Sequence, residues 1–420
     1  MEDAHRREWA FVLAATVRVT GDLDVAQECA QEAYVSAIEA WQRDGVPRSP
    51  GAWLTTVARN RALDVVRREA TLRRKLPLLV EPVEADATGS AGGPGDTDDP
   101  DDPDGEAAVP DDRLRLLFTC CHPALPEEAR VALTLRLVCG VPTPDVARAF
   151  LVAEPTMAAR ITRAKKKIAA ARIPYRVPAP ADLPERLDSV LTVVHLLFTA
   201  GHTAPSGDVL VRDDLCERAV DLARLVVHLL PGEPEARGLL GLLLLTHARR
   251  RARTDDGRLV LLEDQDRSRW DPVLVAYGLK LTAEALTATP RPGRFALQAA
   301  IAGVHTAADS FAATDWPRVV TLYDRLLAVW DSPVVALNRA AAVAFLPPPA
   351  GGPLVALREI DSLATDPRLA GYPYLPAARA DLLRRLCRTD EAAAAYGEAL
   401  ALTGNAAERE FLQCRRAALA

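Results

Sequence analysis

Two helix-start signals lie close together between residues 143 and 168, and they constrain the fold of this chain more than any other feature. Thr143-Pro144-Asp145 combines an N-cap residue, a proline at the first helical position and an acid in the first turn. Glu154-Pro155 repeats the proline signal after the short turn Leu151-Val152-Ala153. The pattern therefore predicts two helices joined by a tight turn.

The second of these helices is predicted to have one apolar face and one basic face. Its apolar residues recur at helical spacing: Met157, Ile161, Ala164 and Ile168. Its polar residues share the opposite side: Thr156, Arg160, Arg163 and Lys167. This arrangement is typical of a helix-turn-helix whose second helix reads the major groove. An ordinary amphipathic helix pair with a solvated basic face fits the same pattern.

Composition predicts a mostly helical protein of two to four domains, because the chain has 420 residues, 49% of them hydrophobic but only 5% aromatic. No apolar run approaches the length of a membrane span, and the N-terminus lacks the apolar segment of a signal peptide. The seven cysteines form no CxxC pair, which fits a reducing compartment. We therefore expect an all-α protein that is soluble and cytoplasmic.

Residues 1–75 form a first helical block with an uneven charge distribution. Residues 1–47 carry four Lys or Arg against nine Asp or Glu, whereas residues 48–75 carry eight against two. Ser49-Pro50 starts a helix whose outer face holds these residues: Trp53, Thr56, Asn60 and Arg67. An exposed tryptophan beside amide, hydroxyl and guanidinium groups suits melted nucleic acid, because the ring stacks on a base while Arg holds phosphate.

The run GDLDVAQECAQEAYVSAIEAW, followed by PGAWLTTVARNRALDVVRRE, resembles region two of an extracytoplasmic-function sigma factor. The resemblance implies a docking surface for the RNA polymerase clamp helices, made of Asp24, Gln27, Glu28, Gln31 and Glu32. It also places Asn60 near the flipped base of the minus-ten element, with Trp53, Arg59, Arg61 and Arg67 around it. The basic run that begins at Arg67-Arg68 would follow the DNA backbone.

Residues 76–110 separate this block from the next and read as an acidic flexible linker. From Leu76 to Asp112 there are twelve Asp or Glu and no Lys or Arg, so the segment lacks the apolar surface needed to order itself. A simple tether explains this composition. In the sigma factors that the chain resembles, the corresponding linker passes through the polymerase active-site cleft and RNA-exit path.

Residues 111–175, which contain the helix pair, resemble sigma region four, the part that reads the minus-thirty-five element. Residues 143–176 carry eight Lys or Arg against two Asp or Glu, a balance suited to phosphate binding. The resemblance implies groove-facing residues Thr156, Ala159, Arg160, Arg163 and Lys166, with Lys165 and Lys167 on phosphates. Because Arg binds guanine through two hydrogen bonds, Arg160 and Arg163 are the candidates for base contacts.

Cys120-Cys121-His122 suggests a metal cluster at first sight, but no matching Cys or His pair lies nearby at zinc spacing. We therefore interpret the three as buried structural residues. The phrase LLFTCCHPALP that contains them is echoed by LLFTAGHTAPS at residues 196–206. Both phrases are interpreted as helix ends that enter a turn.

Residues 176–420 are predicted to form a C-terminal helical extension. Residues 213–230 and 234–249 are predicted to form a helix pair, Asp256-Gly257 to form a hairpin turn, and Asp271-Pro272 to cap the next helix. From about residue 295 helix pairs recur with a loose 34-residue period and resemble tetratricopeptide repeats. Such an array presents a groove suited to a peptide or protein ligand.

The whole arrangement resembles the sigma-factor group with a C-terminal tetratricopeptide-like extension, and LVLLEDQDRSRWD is the phrase of this half that most supports it. The resemblance implies a transcription initiation factor that binds core RNA polymerase and promoter DNA, regulated by its fused extension. We expect no catalytic residues, no cofactor and no metal. The alternatives are a conventional helix-turn-helix regulator with a repeat scaffold, or an enzyme hidden in the C-terminal half.

Overall fold

The computed structural model describes residues 2–75, 112–150, 152–204 and 206–419, and most of these residues lie in helices. The all-α prediction is therefore confirmed. The chain divides into two compact units, Met1–Leu187 and Asp188–Ala420. The predicted acidic linker, residues 76–110, lies outside the described residues.

The first unit opens with three helices: α1 Glu2–Thr20, α2 Leu23–Asp44 and α3 Pro50–Lys75. Gly21 ends α1 with a positive φ of 65° that favours glycine. The Asp22 side chain then caps α2 by accepting hydrogen bonds from the Asp24 and Val25 amides at 2.7 and 3.0 Å. α2 buries the predicted small-residue face against its neighbours: Ala26, Cys29, Ala30, Ala33, Ala37 and Trp41.

The rest of the first unit holds shorter helices: α4 Asp112–Cys120, α5 Glu127–Leu133, a π-helical turn Thr134–Val138, α6 Thr143–Phe150 and α7 Glu154–Ala170. The predicted helix pair is confirmed as α6 and α7. All four residues of the predicted apolar stripe of α7 are buried: Met157, Ile161, Ala164 and Ile168. α7 is therefore held to the unit by one face, which leaves its other sides for contacts elsewhere.

The second unit is a succession of antiparallel helix pairs that begins in α8, Leu183–His202. They are α9 Asp213–Leu229, α10 Pro234–His247, α11 Pro272–Thr287, α12 Arg294–Ala307, α13 Trp316–Val329, α14 Pro333–Val343, α15 Pro353–Leu363, α16 Tyr374–Arg385, α17 Thr389–Leu402 and α18 Ala406–Ala417. The predicted pair of α9 and α10 is confirmed. Ala and Leu side chains from successive helices form continuous cores, so each pair is covered by the next.

The second unit contains two short strand pairs, one between distant segments of the chain and one in a local hairpin. β1 Ser206–Gly207 pairs in parallel with β4 Gly404–Asn405, so the segment after α8 meets the segment before α18. β2 Thr254–Asp255 and β3 Arg258–Leu259 form the predicted hairpin. Asp271 caps α11 as predicted, accepting from the Val273 and Leu274 amides at 3.0 and 3.1 Å.

The loop between β2 and α11 connects helices that are far apart in the chain. Nη1 of Arg267 donates to the carbonyls of His305 and Ala308 at the end of α12, at 2.9 and 2.8 Å. Arg258 pairs with Glu410 of α18 at 3.3 Å. The loop is thus an ordered part of the second unit. Over the described residues, no helix combines the length and apolarity that crossing a bilayer requires.

Candidate nucleic-acid interface

The outer face of α2 carries the predicted polymerase-binding residues. Four of them are exposed: Asp24, Glu28, Gln31 and Glu32; Gln27 is half-buried. Because the opposite side of α2 is its buried small-residue face, the four exposed residues lie on the outer side of the helix, with Gln27 at its edge. The geometry permits them to act as a continuous docking surface for a basic partner.

The outer face of α3 carries most of the predicted minus-ten residues. Five of them are exposed: Thr56, Arg59, Asn60, Arg67 and Arg68. The described part of the chain offers no hydrogen bond or ion pair to the side chains of the last four. Thr56 donates to the Ala52 carbonyl one turn earlier at 2.9 Å. The amide and guanidinium donors are therefore available to an external acceptor.

Two of the predicted residues of α3, Trp53 and Arg61, contact side chains of α2. Trp53 is half-buried, with its ring edge-to-face on Trp41 at 5.7 Å between centroids, so only part of its ring can stack on a base. Arg61 pairs with Glu32 and donates to the Ser36 hydroxyl at 2.8 Å. Arg61 therefore links α3 to α2 in this structure, although its side chain is 39% exposed.

The predicted minus-thirty-five residues of α7 fall into exposed and engaged groups. The exposed ones are Thr156, Ala159, Arg163, Lys166 and Lys167. Arg163 keeps its Nε on the Ala159 carbonyl at 3.2 Å, which leaves the two terminal nitrogens of the guanidinium outside that bond. Arg160 pairs with Glu128 of α5 at 2.8 Å. One of the two candidates for guanine contacts is thus held by a carboxylate of its own unit.

Lys165 departs from the prediction that placed it on phosphates. Its side chain is only 8% exposed, and its Nζ donates to Asp24 Oδ1 at 2.7 Å and Gln27 Oε1 at 2.8 Å. It sits beside Ala164 at the edge of the buried stripe, so it turns inward toward α2. A residue predicted for DNA and two predicted for polymerase therefore meet each other in this structure.

Contacts that no sequence pattern indicated join α1 to the helices of residues 112–175. The indole N–H of Trp9, a residue only 2% exposed, donates to the Leu137 carbonyl in the π-helical turn at 2.9 Å. The Tyr175 hydroxyl lies 2.9 Å from the Ala14 carbonyl and 3.2 Å from the Asp112 carbonyl. Trp9 lies near the start of the first block and Tyr175 at the end of the second, and no local pattern in the sequence connects them.

The Cys120-Cys121-His122 cluster has its two cysteines buried at the end of α4. Burial raises the pKa of both thiols, that of Cys121 to about 11. Nδ1 of His122 accepts from the Ala124 amide at 3.1 Å, which shapes the turn after α4. Within the described residues no group of three potential metal ligands is found.

Comparison with known proteins assigns families to both units. The model of Sigma-70 region 2 matches residues 5–71, and that of Sigma-70 region 4 matches residues 115–168. A family of unknown function, DUF6596, matches residues 186–286. No solved structure matches the chain.

A full-length relative shows that this combination of parts exists elsewhere. An uncharacterized protein from Rhizobium meliloti (strain 1021) is 42% identical over 402 residues, which cover 96% of this chain and 91% of the relative. The similarity therefore extends through the sigma regions and the helical extension together. The chain belongs to the sigma-70 family as an extracytoplasmic-function-type sigma factor with a C-terminal helical extension, a transcription initiation protein whose partners are core RNA polymerase and promoter DNA.

Proposed function

We propose that this sigma factor divides promoter recognition among three helices. The outer face of α2 docks on core RNA polymerase, the outer face of α3 holds the melted minus-ten strand, and α7 reads the minus-thirty-five duplex. The observation that carries the proposal is the donor face of α3, where Arg59, Asn60 and Arg67 are exposed and have no side-chain hydrogen bond or ion pair with any residue that the structure describes.

The chemistry of that face fits a single strand better than a duplex. Asn60 lies one position after Arg59 and seven before Arg67, so an amide that can read a base edge is flanked by two cations for phosphates. The exposed portion of Trp53 adds a surface for base stacking. A face of this kind binds a strand whose bases are already turned outward.

The test is transcription in vitro with core polymerase on fragmented genomic DNA, followed by mapping of the transcript starts. We expect starts that share two sequence elements at minus-ten and minus-thirty-five spacing. The Asn60→Ala variant should lose starts, whereas Arg325→Ala, which changes an exposed arginine on α13, should not. Starts that show no shared elements, or that ignore Asn60, would refute the division of labour.

We further propose that the extension controls when the sigma regions act. Two observations support this: residues 188–420 form a compact unit of their own, and the alignment with the Rhizobium meliloti relative spans 96% of this chain, so it includes most of the extension. A peptide or protein ligand of the helical repeats would supply the signal. Deletion of residues 188–420 should change the strength of promoter-specific transcription; unchanged transcription would rule the control out.

A further inference from the structure

The contact between Lys165 and the α2 face is built like a specific site. Nζ of Lys165 has two acceptors at hydrogen-bonding distance, the Asp24 carboxylate and the Gln27 amide oxygen. The lysine is 8% exposed while Asp24 is 63% exposed, so the cation is buried and its counter-ion reaches solvent. We call these three residues, Lys165, Asp24 and Gln27, the clasp.

A broader interface keeps the two sides of the clasp together. α1 and α2 belong to region two, whereas α4, α7 and the π-helical turn belong to region four. Besides the bond from Trp9 to Leu137, the Arg136 guanidinium lies over the Trp9 ring at 5.8 Å, and Arg18 approaches Asp112 at 3.7 Å. The clasp therefore closes one edge of an interface with its own apolar and polar contacts.

We propose that the clasp is an intramolecular occupant of the polymerase-docking face, which core RNA polymerase must displace. The inference rests on the proposed roles of α2 and α7. In the free chain, Lys165 occupies one acceptor atom of Asp24 and one of Gln27, and the same contact keeps Lys165 away from DNA. Docking of polymerase on α2 releases α7, so polymerase binding and minus-thirty-five reading are coupled.

The chemistry of the clasp suits a contact that forms and breaks reversibly. A buried ion pair adds little to stability compared with an apolar pair of similar size, because two charges must leave water to form it. Here the exposed carboxylate is accessible to a competing cation, and a lysine of the partner is the group that would replace Lys165. Only chains in which the clasp is open can bind polymerase. The apparent affinity is therefore the affinity of the open chain multiplied by the fraction of chains that are open.

The first measurement is the rate at which an amine-reactive reagent modifies each lysine of the full chain, read by mass spectrometry. Lys166 and Lys167 are exposed neighbours on the same helix and serve as internal controls. We expect Lys165 to react more slowly than both. The double variant Asp24→Ala/Gln27→Ala should remove the protection, whereas Glu39→Ala, an exposed acid later on α2, should keep it.

The second measurement is the affinity of the full chain for core polymerase. Removing one partly buried pair frees the docking face, so Lys165→Ala should bind about two- to fivefold more tightly than the unchanged chain. Lys280→Ala, which changes an exposed lysine of α11 with no assigned role, is the control and should bind as the unchanged chain does. Hydrogen exchange of both variants verifies that α7 is still folded.

The outcomes separate the clasp from the function on which it rests. Equal reaction rates for Lys165 and Lys167 in the free chain would overturn the clasp, even if the chain supports promoter-specific transcription. Protection of Lys165 with no gain in affinity for Lys165→Ala would overturn its role in polymerase binding. A chain that shows the protection but never binds core polymerase would instead refute the proposed function.

Discussion

The segments that contain α3 and α7 have the same charge balance in the sequence, but the two helices differ in how they present their charges. Residues 48–75 and residues 143–176 each carry eight Lys or Arg against two Asp or Glu. On α3, Arg59, Asn60 and Arg67 point outward without partners in the described chain. On α7, Lys165 is buried against α2 and Arg160 is paired with Glu128.

The difference shows that a basic face is not by itself a free face. Some basic side chains of a helix can be exposed to an external ligand while others pair with carboxylates of the same chain. The packing of the helices determines which are which. In this molecule the charged outer face of α3 is exposed, whereas Arg160 and Lys165 of α7 are paired with carboxylates.

The largest effect is expected where α7 is anchored. Met157 of α7 is fully buried. Met157→Ala removes its apolar contacts and leaves a cavity, so the change should destabilise the folded helix by about 2–5 kcal/mol. Hydrogen exchange of the α7 amides should report a lower local free energy of opening by that amount, with α3 amides unchanged. An effect below about 0.5 kcal/mol, the size expected of a surface change, would show that α7 is not seated by this stripe.

The next effect concerns strand opening by α3. If Asn60 contacts a base, Asn60→Ala should cost about 1–3 kcal/mol in formation of the open promoter complex. Permanganate reactivity of unpaired thymines measures that step. A template whose minus-ten region is already mismatched should restore activity only in part, because the base contact is still missing. Arg163→Ala on α7 should give a defect that the mismatched template does not change.

A smaller effect separates free from paired arginines on α3. Arg67 is exposed and suited to phosphate, so Arg67→Ala should lower the slope of log affinity against log salt for promoter DNA by about 1. Arg61→Ala should leave the slope as it was, because Arg61 is already paired with Glu32. Equal changes in slope for the two variants would contradict the assignment of Arg61 as a link between helices.

The smallest effect tests the ion pair that holds Arg160. Glu128 is 69% exposed and Arg160 22% exposed, so the pair contributes about 0.2–1 kcal/mol at most. Glu128→Ala should free Arg160 and tighten holoenzyme binding to the minus-thirty-five duplex by the corresponding factor. Glu127→Ala, an exposed acid one residue earlier, is the control. Weaker binding by Glu128→Ala would show that the pair positions Arg160 for DNA.

The local features of the fold could be predicted from sequence because their causes are local. Proline at the first helical position and Asp caps set the helix starts, and the spacing of Met157, Ile161 and Ile168 set the buried face of α7. The Asp256-Gly257 turn followed from its need for positive φ, which the structure shows at 46° and 80°. Each of these signals lies within a few residues of the structure that it determines.

The contacts that decide which charges are free could not be predicted in the same way. Lys165 and Asp24 are 141 positions apart, and Trp9 and Leu137 are 128 apart. Helical spacing puts Lys165 four residues after Ile161 and three before Ile168, at the edge of the apolar stripe, but it gives no sign that Lys165 meets Asp24 of another helix. Likewise, the ring of Trp53 is half-covered by Trp41 from another helix. Such pairings depend on how helices pack, which a single sequence does not encode in any local pattern.

The most direct test of the account is the binding of a mapped promoter by the full chain with and without core RNA polymerase, measured on matched duplexes that differ only in the two promoter elements. The account predicts strong discrimination between the duplexes with core polymerase and almost none by the chain alone, since part of α7 is engaged within the chain and the proposed ligand of α3 is melted DNA. A chain that selects the promoter duplex equally well by itself would contradict the account, and would favour a conventional helix-turn-helix regulator.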